Sequence, residues 1–483
     1  MTESKIEKAK SISLVVLFLS TVLLLCFFLG YISLDSFKFR QQAISEEIPD
    51  ISYMIKPNQI VVNFGADNYT VLSAGNLDVW CTEENCLVKG IEKFNQSENI
   101  LVEEIPYEKY QEVMKFRSIL AEFSYDIPTA DFFINYKIKK PSSYKVIDTI
   151  KSISYSEVSK NNIFIYDGKN NKYYRLVADT DNGVFETLIA AIEGNDYNVY
   201  YPVSTYLGVE NNTLIPLEIN TNLSKFPFRL DLYPYQTEKI NTVAEKFFGS
   251  NFDFVRQITE DTGTIIYMYS YGKNVLIVNT NGSIEYKEEQ ISANMDKSFL
   301  ESLEIAVQYV ARHGSWESLN GAKLTPYLKD VALNPNGEKG FRFTFGMEVN
   351  GSRLFYEEGE SIVTDVTNGQ VTYYKRNMID FDQEDLEAIE ASSKDTAFSS
   401  VNLIAKNYEY IYHILQTEDT YIADNQPDMF EAVASAINNM QIGYVRMADN
   451  ETTDIYPSWI VSINDIDVYF DLYNAEPIGY MKK

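Results

Sequence analysis

The sequence TNGSIEY at residues 280–286 has a close counterpart in TNGQVTY at residues 367–373. In each segment the Asn-Gly pair supplies the positive φ angles of a tight turn, and the alternation that follows sets which side chains face the core. Each segment therefore predicts a β-hairpin. Because any two Asn-Gly hairpins look alike, the match fits a repeated unit and also fits two unrelated hairpins.

The chain around these hairpins predicts helices followed by antiparallel strands. Apolar residues recur at helical spacing ahead of each group of strands, and Gly249 ends the first helix. We therefore expect two helix/β-meander domains, at residues 226–380 and 381–483. The helices predicted in them are Thr237–Phe248, Lys297–Ala311, Phe398–Leu415 and Met429–Met440.

Residues 35–225 combine strand and helix patterns. Ile60–Phe64 predicts a strand that ends at Gly65, and Ile163–Tyr166 predicts another that turns at Asp167-Gly168 and returns at Tyr173–Val177. A short helix is predicted at Tyr107–Arg117. These patterns predict an extracytoplasmic α+β domain ahead of the two meander domains.

The amino terminus predicts a membrane anchor. Residues 11–34 contain no charged side chain, and at the rise of a helix they span about 36 Å, enough to cross the hydrocarbon core. Three lysines in residues 1–10 predict that this tail is cytoplasmic and that the bulk of the chain lies outside the cell. The predicted fold class is therefore α+β, with an N-terminal transmembrane helix before the α+β domain and the repeated helix-plus-antiparallel-meander units.

A cleaved leader is the alternative to a retained, single-pass anchor in the cell membrane. A secretory signal would have a shorter apolar run followed by a small-x-small cleavage site, but bulky Tyr31 and Ile32 follow Gly30. Lipoprotein processing at Cys26 would need a small residue before it, and Leu25 is large. Both patterns favour the anchor.

The charge of the chain restricts its partners. The formal net charge is −28 at pH 7, and three lysines with two glutamates give the tail +1, which leaves −29 outside. A field of that sign repels nucleic acid and anionic polymers, and it favours solubility or a basic partner. We therefore expect no nucleic-acid partner.

Two cysteines follow the anchor at close spacing. Cys81 and Cys86 are separated by four residues, and an oxidising exterior favours a disulfide between them over two free thiols. A metal site is disfavoured because no histidine lies near them in sequence and four ligands are needed.

No constellation of residues predicts catalysis. The chain has two histidines, His313 and His413, which are 100 residues apart, and no sequence pattern places a catalytic partner beside either of them. Adjacent carboxylates are expected from 69 acidic residues. The run Asp179–Gly183 lacks the glycine and the glutamate that a calcium loop needs at its sixth and twelfth positions. We therefore assign no catalytic, cofactor-binding or metal-ligating residue and expect no cofactor.

The order of these features resembles the YycH family, and YycI resembles the later units. The resemblance covers nearly the whole chain, through its architecture and through short segments. Those segments are IVVNFG at 60–65, FSYDIP at 123–128, the hairpins at 281–282 and 368–369, PSWIV at 457–461 and YFD at 469–471.

The resemblance implies a protein without enzymatic activity that regulates a sensor histidine kinase. In this family the kinase is that of the WalK/WalR two-component system, and a YycI-like protein is a further expected partner. An extracytoplasmic enzyme or binding protein acting on cell-wall polymers is the alternative, and a purely structural scaffold of the envelope is a third reading.

The predicted membrane helix offers small polar residues for contact with another helix. Lipid is as apolar as leucine, so helices associate through packing and small or polar side chains. Ser13, Ser20 and Thr21 fall on roughly one face, about two helical turns apart. A plain anchor would tolerate the same residues.

Overall fold

The computed structural model describes Thr21 and most of the chain from Ile48 onward. The described ranges are 48–73, 78–179, 183–195, 197–230, 232–289, 296–314, 316, 324–334, 339–357, 359–390, 395–418, 428–447 and 454–483. Met1–Glu47 and Ile48–Lys483 form two separate compact units. No helix within the described residues is long and apolar enough to cross a membrane. The predicted span 11–34 lies outside them except for Thr21, which is helical.

Nine strands in the described residues form the first sheet. Their order is β3-β7-β6-β5-β4-β1-β2-β8-β9, and all neighbours are antiparallel. The first strand in sequence therefore lies inside the sheet. The strands are β1 Gln59–Gly65, β2 Asn68–Ser73, β3 Ile100–Ile105, β4 Ser118–Pro128, β5 Thr149–Ser156, β6 Asn162–Asp167, β7 Lys172–Ala178, β8 Tyr200–Pro202 and β9 Leu214–Pro216.

Helices pack on this sheet through apolar stripes. In α2 the buried residues Leu87, Val88, Ile91 and Phe94 share one face, as helical spacing requires. This helix lies against α5, whose Phe185 stacks on Tyr155 at 4.8 Å between ring centroids. The helices are α1 Ile51–Met54, α2 Leu87–Phe94, α3 Tyr107–Met114, α4 Thr129–Asn135, α5 Val184–Glu193 and α6 Val203–Leu207.

The second sheet contains fourteen strands among the described residues. Its main order is β13-β14-β15-β16-β21-β20-β18-β19-β24-β25-β26-β27, with β17 on β18 and β11 on β25, while β10 pairs with β23 and β12 with β22 in two small sheets. The strands are β10 Asn220–Thr221, β11 Phe226–Pro227, β12 Arg229–Leu230, β13 Arg256–Thr259, β14 Ile265–Tyr269, β15 Asn274–Val278, β16 Ile284–Glu288, β17 Leu324–Leu333, β18 Gly340–Val349, β19 Ser352–Tyr356, β20 Ile362–Thr367, β21 Gln370–Arg376, β22 Ile379–Asp380, β23 Asp395–Thr396, β24 Ile437–Arg446, β25 Asp454–Ile463, β26 Ile466–Asp471 and β27 Pro477–Lys482.

Five further helices accompany this sheet in the described residues. Helix α8 buries a continuous stripe and begins at a capping box in which Ser298 and Glu301 each accept from the other's backbone N–H. One hydrophobic core extends from Met54 to Ala475 through both sheets. The helices are α7 Thr237–Phe248, α8 Phe299–His313, α9 Gln383–Glu390, α10 Ser400–Thr417 and α11 Met429–Ala436.

One parallel pairing joins the strands of the two predicted meander domains. Leu354–Tyr356 of β19 pairs in parallel with Tyr444–Arg446 of β24, whereas every other pairing in this sheet is antiparallel among the described strands. The second sheet is therefore continuous across residue 380. The domain boundaries at 225 and 380 stay predictions.

The α+β class predicted from the sequence is confirmed, and one helix end is wrong. The helix predicted at Met429–Met440 ends at Ala436, and Ile437 begins strand β24. Ile437 and Met440 are buried against Ile463 and Val461 of β25. Cross-strand packing of these apolar side chains outweighs the local helical spacing.

The two Asn-Gly hairpins lie side by side, because β16 pairs with β21. Their turns differ. Asn368 and Gly369 both have positive φ, 49° and 82°, as a type I′ turn requires, whereas at 281–282 the positive φ is that of Gly282, also 82°. The side chain of Asn281 accepts from the N–H of Ser283 at 3.0 Å and so closes its turn differently.

Replacing Gly282 by alanine should destabilise the second sheet. A Cβ there would lie 2.6 Å from the carbonyl oxygen of Leu232, and the positive φ alone costs about 1–2 kcal/mol for an L-residue. We expect Gly282→Ala to lower the free energy of unfolding by more than Gly272→Ala, which has a similar φ and open space. Chemical denaturation followed by circular dichroism measures both. An equal loss of free energy of unfolding in the two variants would mean that the close approach of residue 282 to Leu232 has no energetic cost.

Candidate functional site

A buried ion pair joins the two sheets. Lys56 follows helix α1 at the start of the first sheet, and Glu348 lies on β18 of the second. Lys56 Nζ is 2.9 Å from Glu348 Oε2, and the two side chains are 1% and 2% exposed. Burial of two charges is tolerated only when they pair closely, so this contact fixes the chain before β1 onto the second sheet.

Two cations flank one buried ring beside this pair. Lys56 Nζ lies 5.3 Å from the ring centroid of Tyr327, and the guanidinium carbon of Arg353 lies 5.2 Å from it. Arg353 Nη2 donates to the carbonyl oxygen of Asn58 at 2.6 Å, and Nη1 donates to Gln441 Oε1 at 3.3 Å. We call Lys56, Tyr327, Glu348 and Arg353 the buried charge cluster.

The cluster contains more positive than negative charge. Two cations face one carboxylate, and among the described residues no carboxylate oxygen lies within ion-pair distance of Arg353. Burial lowers the pKa of Lys56, and Glu348 opposes that shift. Burial also raises the pKa of Tyr327. Arg353 Nε and Glu348 Oε1 are both buried without a hydrogen-bond partner.

A large cleft borders the cluster where the two sheets meet. Its volume is about 1050 Å³, at the upper end for pockets that hold small ligands. We call it the inter-sheet cleft. It is lined by Asn58, Gln59, Thr70–Ser73, Tyr197–Tyr201, Leu214, Leu217–Asn220, Gly351–Arg353 and Asn439–Ile442.

Hydrogen bonds join segments of the two sheets. In the cleft, Arg353 donates to the carbonyl oxygen of Asn58. Outside its lining, Asn211 Nδ2 donates to the carbonyl oxygens of Ala434 and Ile437, at 3.0 and 2.7 Å. The opening between the sheets is therefore preformed.

The histidines considered from the sequence lie apart from this site. His313 stacks on Tyr309, with ring centroids 3.8 Å apart, and its ring is tilted against that of Phe247 at 4.7 Å. Its Nδ1 lies 2.8 Å from the carbonyl oxygen of Tyr309. Burial lowers the pKa of His313 to about 4. His413 is exposed on helix α10. Within the described residues, no group of three His, Cys, Asp or Glu side chains could hold a metal ion.

The residues proposed for helix contact cannot be placed. Ser13 and Ser20 lie outside the described residues, and Thr21 is helical. In the run Asp179–Gly183, only Asp179 and Gly183 are described. Contact through this helix face stays a prediction.

Cys81 and Cys86 are free thiols in the structure, so the predicted bridge is not formed in it. Cys81 lies on a short π-helix at Asp78–Thr82, and Cys86 directly precedes helix α2. Burial, with a contribution from Cys86, raises the pKa of Cys81 to about 11. Because the thiolate is the reactive form, such a pKa slows oxidation by disulfide exchange.

Formation of the bridge outside the cell stays a prediction with a direct test. In an oxidising compartment we expect Cys81 and Cys86 to be joined, since they are close in sequence. Mass spectrometry of unreduced, alkylated protein purified from its membrane should then show the linked peptide. Two alkylated cysteines would contradict the bridge and agree with the free thiols described here.

Sequence reasoning missed the buried charge cluster. Lys56 lies between apolar Tyr53–Ile55 and Ile60–Val62, and a charge in such surroundings signals a buried partner. Nothing local pointed to Glu348, which is 292 residues away.

This architecture has a counterpart among solved structures. No family model matches the sequence, and no curated protein is similar to it. The crystal structure of YycH from Bacillus subtilis superposes on 87% of this chain and 96% of its own, with a TM-score of 0.53 and 10% identity. The chain has a YycH-like fold.

At 10% identity the similarity to YycH concerns the fold, and it confirms the architecture expected from the resemblance. The C-terminal domain of Bacillus megaterium YpeB is also similar, at 10% identity. That match covers 51% of this chain and 96% of the other, with a TM-score of 0.23.

Proposed function

We propose that the chain is a non-enzymatic extracytoplasmic regulator of a membrane sensor histidine kinase in a two-component system. The observation that carries this proposal is the YycH-like fold over 87% of the chain. The family resemblance names a WalK-like kinase as the partner, with a YycI-like protein as a second. The chain acts by contact, through residues 11–34 in the cell membrane and through its exterior surface.

The exterior unit is suited to work by contact. The buried ion pair and the hydrogen bonds of Arg353 and Asn211 fix the two sheets against each other. A rigid pair of sheets can transmit a force or present a constant surface to a partner. The formal charge of −29 outside the membrane favours a partner with a basic face.

The wall-polymer alternative is less well supported. Glycoside hydrolysis uses two carboxyl groups across a cleft. Among the described residues that line the inter-sheet cleft, the acidic side chain is Glu218 alone.

A complementation experiment tests the proposal. Deletion of the gene should change the transcriptional output of a two-component system in the native host, and the full chain should restore it. A second variant, in which residues 11–34 are replaced by an unrelated helix of equal length, separates the two routes of contact. We expect this variant to reach the surface and to restore output only in part, because Ser13, Ser20 and Thr21 are lost. Unchanged output on deletion would overturn the regulatory function.

The proposed topology has its own test. A reporter fused after Lys483 should be active outside the cell, because the lysines before residue 11 hold the amino terminus in the cytoplasm. Activity confined to the cytoplasm would contradict this orientation.

A further inference from the structure

Two incompletely paired strands line the inter-sheet cleft. Strand β2 pairs with β1 along its length, but β8 reaches it only at Tyr69. Strand β24 pairs with β25 along its length, but β19 reaches it only from Tyr444 onward. Among the described strands, Val71–Leu72 and Met440–Ile442 therefore have a strand partner on one side only.

Such edges are templates for another strand. An unpaired edge presents backbone N–H and C=O groups that an extended peptide can satisfy. At about 3.3 Å per residue, a short peptide of some four residues would run the length of either edge. The cleft volume of about 1050 Å³ leaves room for its side chains.

The cleft also contains Arg353, a cation that makes no ion pair among the described residues. Arg353 lines it and is 7% exposed, and its Nη atoms bind the neutral oxygens of Asn58 and Gln441. Its Nε is buried without a partner. Glu348 lies opposite Arg353 in the β18–β19 hairpin, but the carboxylate oxygen Oε2 of Glu348 is paired with Lys56 Nζ. An uncompensated buried charge is costly, so binding of a carboxylate beside Arg353 would be favourable.

We infer that the inter-sheet cleft binds an extended peptide segment of a partner protein as an added strand along β2 and β24, with one Asp or Glu side chain on Arg353. The inference deepens the proposed function, on which it rests for the existence of a protein partner. It names the chemistry of that partner: an internal strand-forming segment with a carboxylate at one position.

Peptide binding tests the inference directly. The full chain in detergent micelles is screened against an array of amidated random peptides of about eight residues. We expect binders that share an Asp or Glu at one position between β-prone residues. Changing that residue to its amide should weaken binding about tenfold, as for loss of one charged hydrogen bond. N-methylation should abolish binding at successive positions of the paired stretch, because the peptide's amides point alternately to β2 and to β24.

Failure of any of these results counts against the inference. A screen without binders, or binders without a fixed acidic position, would overturn it. So would N-methylation that is tolerated throughout, because an added strand bonds to its neighbours through its backbone amides. Binding that required a free C-terminal carboxylate would contradict an internal segment.

Two variants separate binding from folding. Gln441→Glu places a carboxylate beside Arg353, so we expect a higher Tm together with peptide binding at least about tenfold weaker. Asn439→Trp should block the cleft, whereas Asn438→Trp is the matched control, because Asn438 is exposed and does not line it. Equal binding by both tryptophan variants, or an unchanged affinity and Tm in Gln441→Glu, would overturn the assignment.

The outcome is distinguishable from that of the proposed function. Peptide binding is measured without a kinase, and kinase output is measured without a peptide. Acidic peptides that bind while deletion leaves the output unchanged would keep this site and remove the regulatory role. If deletion changes the kinase output but no acidic peptide binds, the regulatory role would be kept and this site would be removed.

Discussion

Replacing Lys56 by methionine should lower the free energy of unfolding by about 3–5 kcal/mol, because it leaves Glu348 charged and buried without its partner. The full chain in micelles, unfolded with denaturant and followed by circular dichroism, gives the measurement. Methionine approximates the length of the lysine stem, so the lost contact is mainly the ammonium group.

A second ion pair in the same chain provides the control. Lys89 Nζ and Glu92 Oε2 are also 2.9 Å apart, but their side chains are 53% and 39% exposed. Lys89→Met should therefore cost less than about 1 kcal/mol. The double variant Lys56→Met with Glu348→Leu should be more stable than Lys56→Met alone, since it removes the stranded charge. Equal effects at Lys56 and Lys89 would show that burial does not strengthen this contact.

Raising the pH above 10 should unfold the protein cooperatively. Burial raises the pKa of Tyr110, Tyr200 and Tyr356 from 10 to about 12. Below pH 10 these tyrosines are neutral in both states and do not affect stability. Above pH 10 they ionise first in the unfolded chain, so each removes about 2 kcal/mol from the free energy of unfolding by pH 12.

The size of this effect follows from the number of tyrosines. Burial also raises the pKa of Tyr125, Tyr309 and Tyr469. Lys56 acts in the opposite sense, because its lowered pKa makes folding more favourable as the pH rises toward 10.5. One lysine cannot offset several tyrosines against a stability of about 5–15 kcal/mol.

Ultraviolet absorbance and circular dichroism across a pH titration test this prediction. Tyrosinate absorbance and loss of secondary structure should appear together between pH 10 and 12, whereas in denaturant the tyrosines should titrate near their ordinary pKa. Full ionisation near pH 10 with the secondary structure retained would contradict it.

Local sequence patterns predicted well where helices and turns lie, but they predicted poorly which strands pair with each other. The helix Thr237–Phe248 has the predicted ends, because its stripe of apolar residues and the glycine that follows it, Gly249, are both local signals in the sequence. The Asn368-Gly369 turn follows from residue chemistry alone. Both features depend on neighbours in the chain.

The candidate site depends on distant neighbours and could not be predicted. Periodicity gives the face of a strand that is buried, but it does not give the strand that pairs with it. Strand β1 lies between β4 and β2, and β19 pairs with β24 across a long segment. The inter-sheet cleft arises where β8 and β19 stop short of covering β2 and β24. Such a mismatch of strand lengths is visible only once the pairing is known.

The short pairings of residues 220–230 have a consequence for how the chain is made. Asn220 pairs with Thr396, Arg229 with Asp380 and Phe226 with Ile455. This segment near the midpoint of the chain therefore pairs with residues that the ribosome synthesises much later. The first sheet, whose strands end at Pro216, can close while synthesis continues. The second cannot be completed until its last strands, β25 to β27, have left the ribosome. A nascent chain that stalls before residue 454 would therefore carry the complete strands of the first sheet while Phe226 lacked its strand partner Ile455, and quality-control proteases would meet the protein in that state.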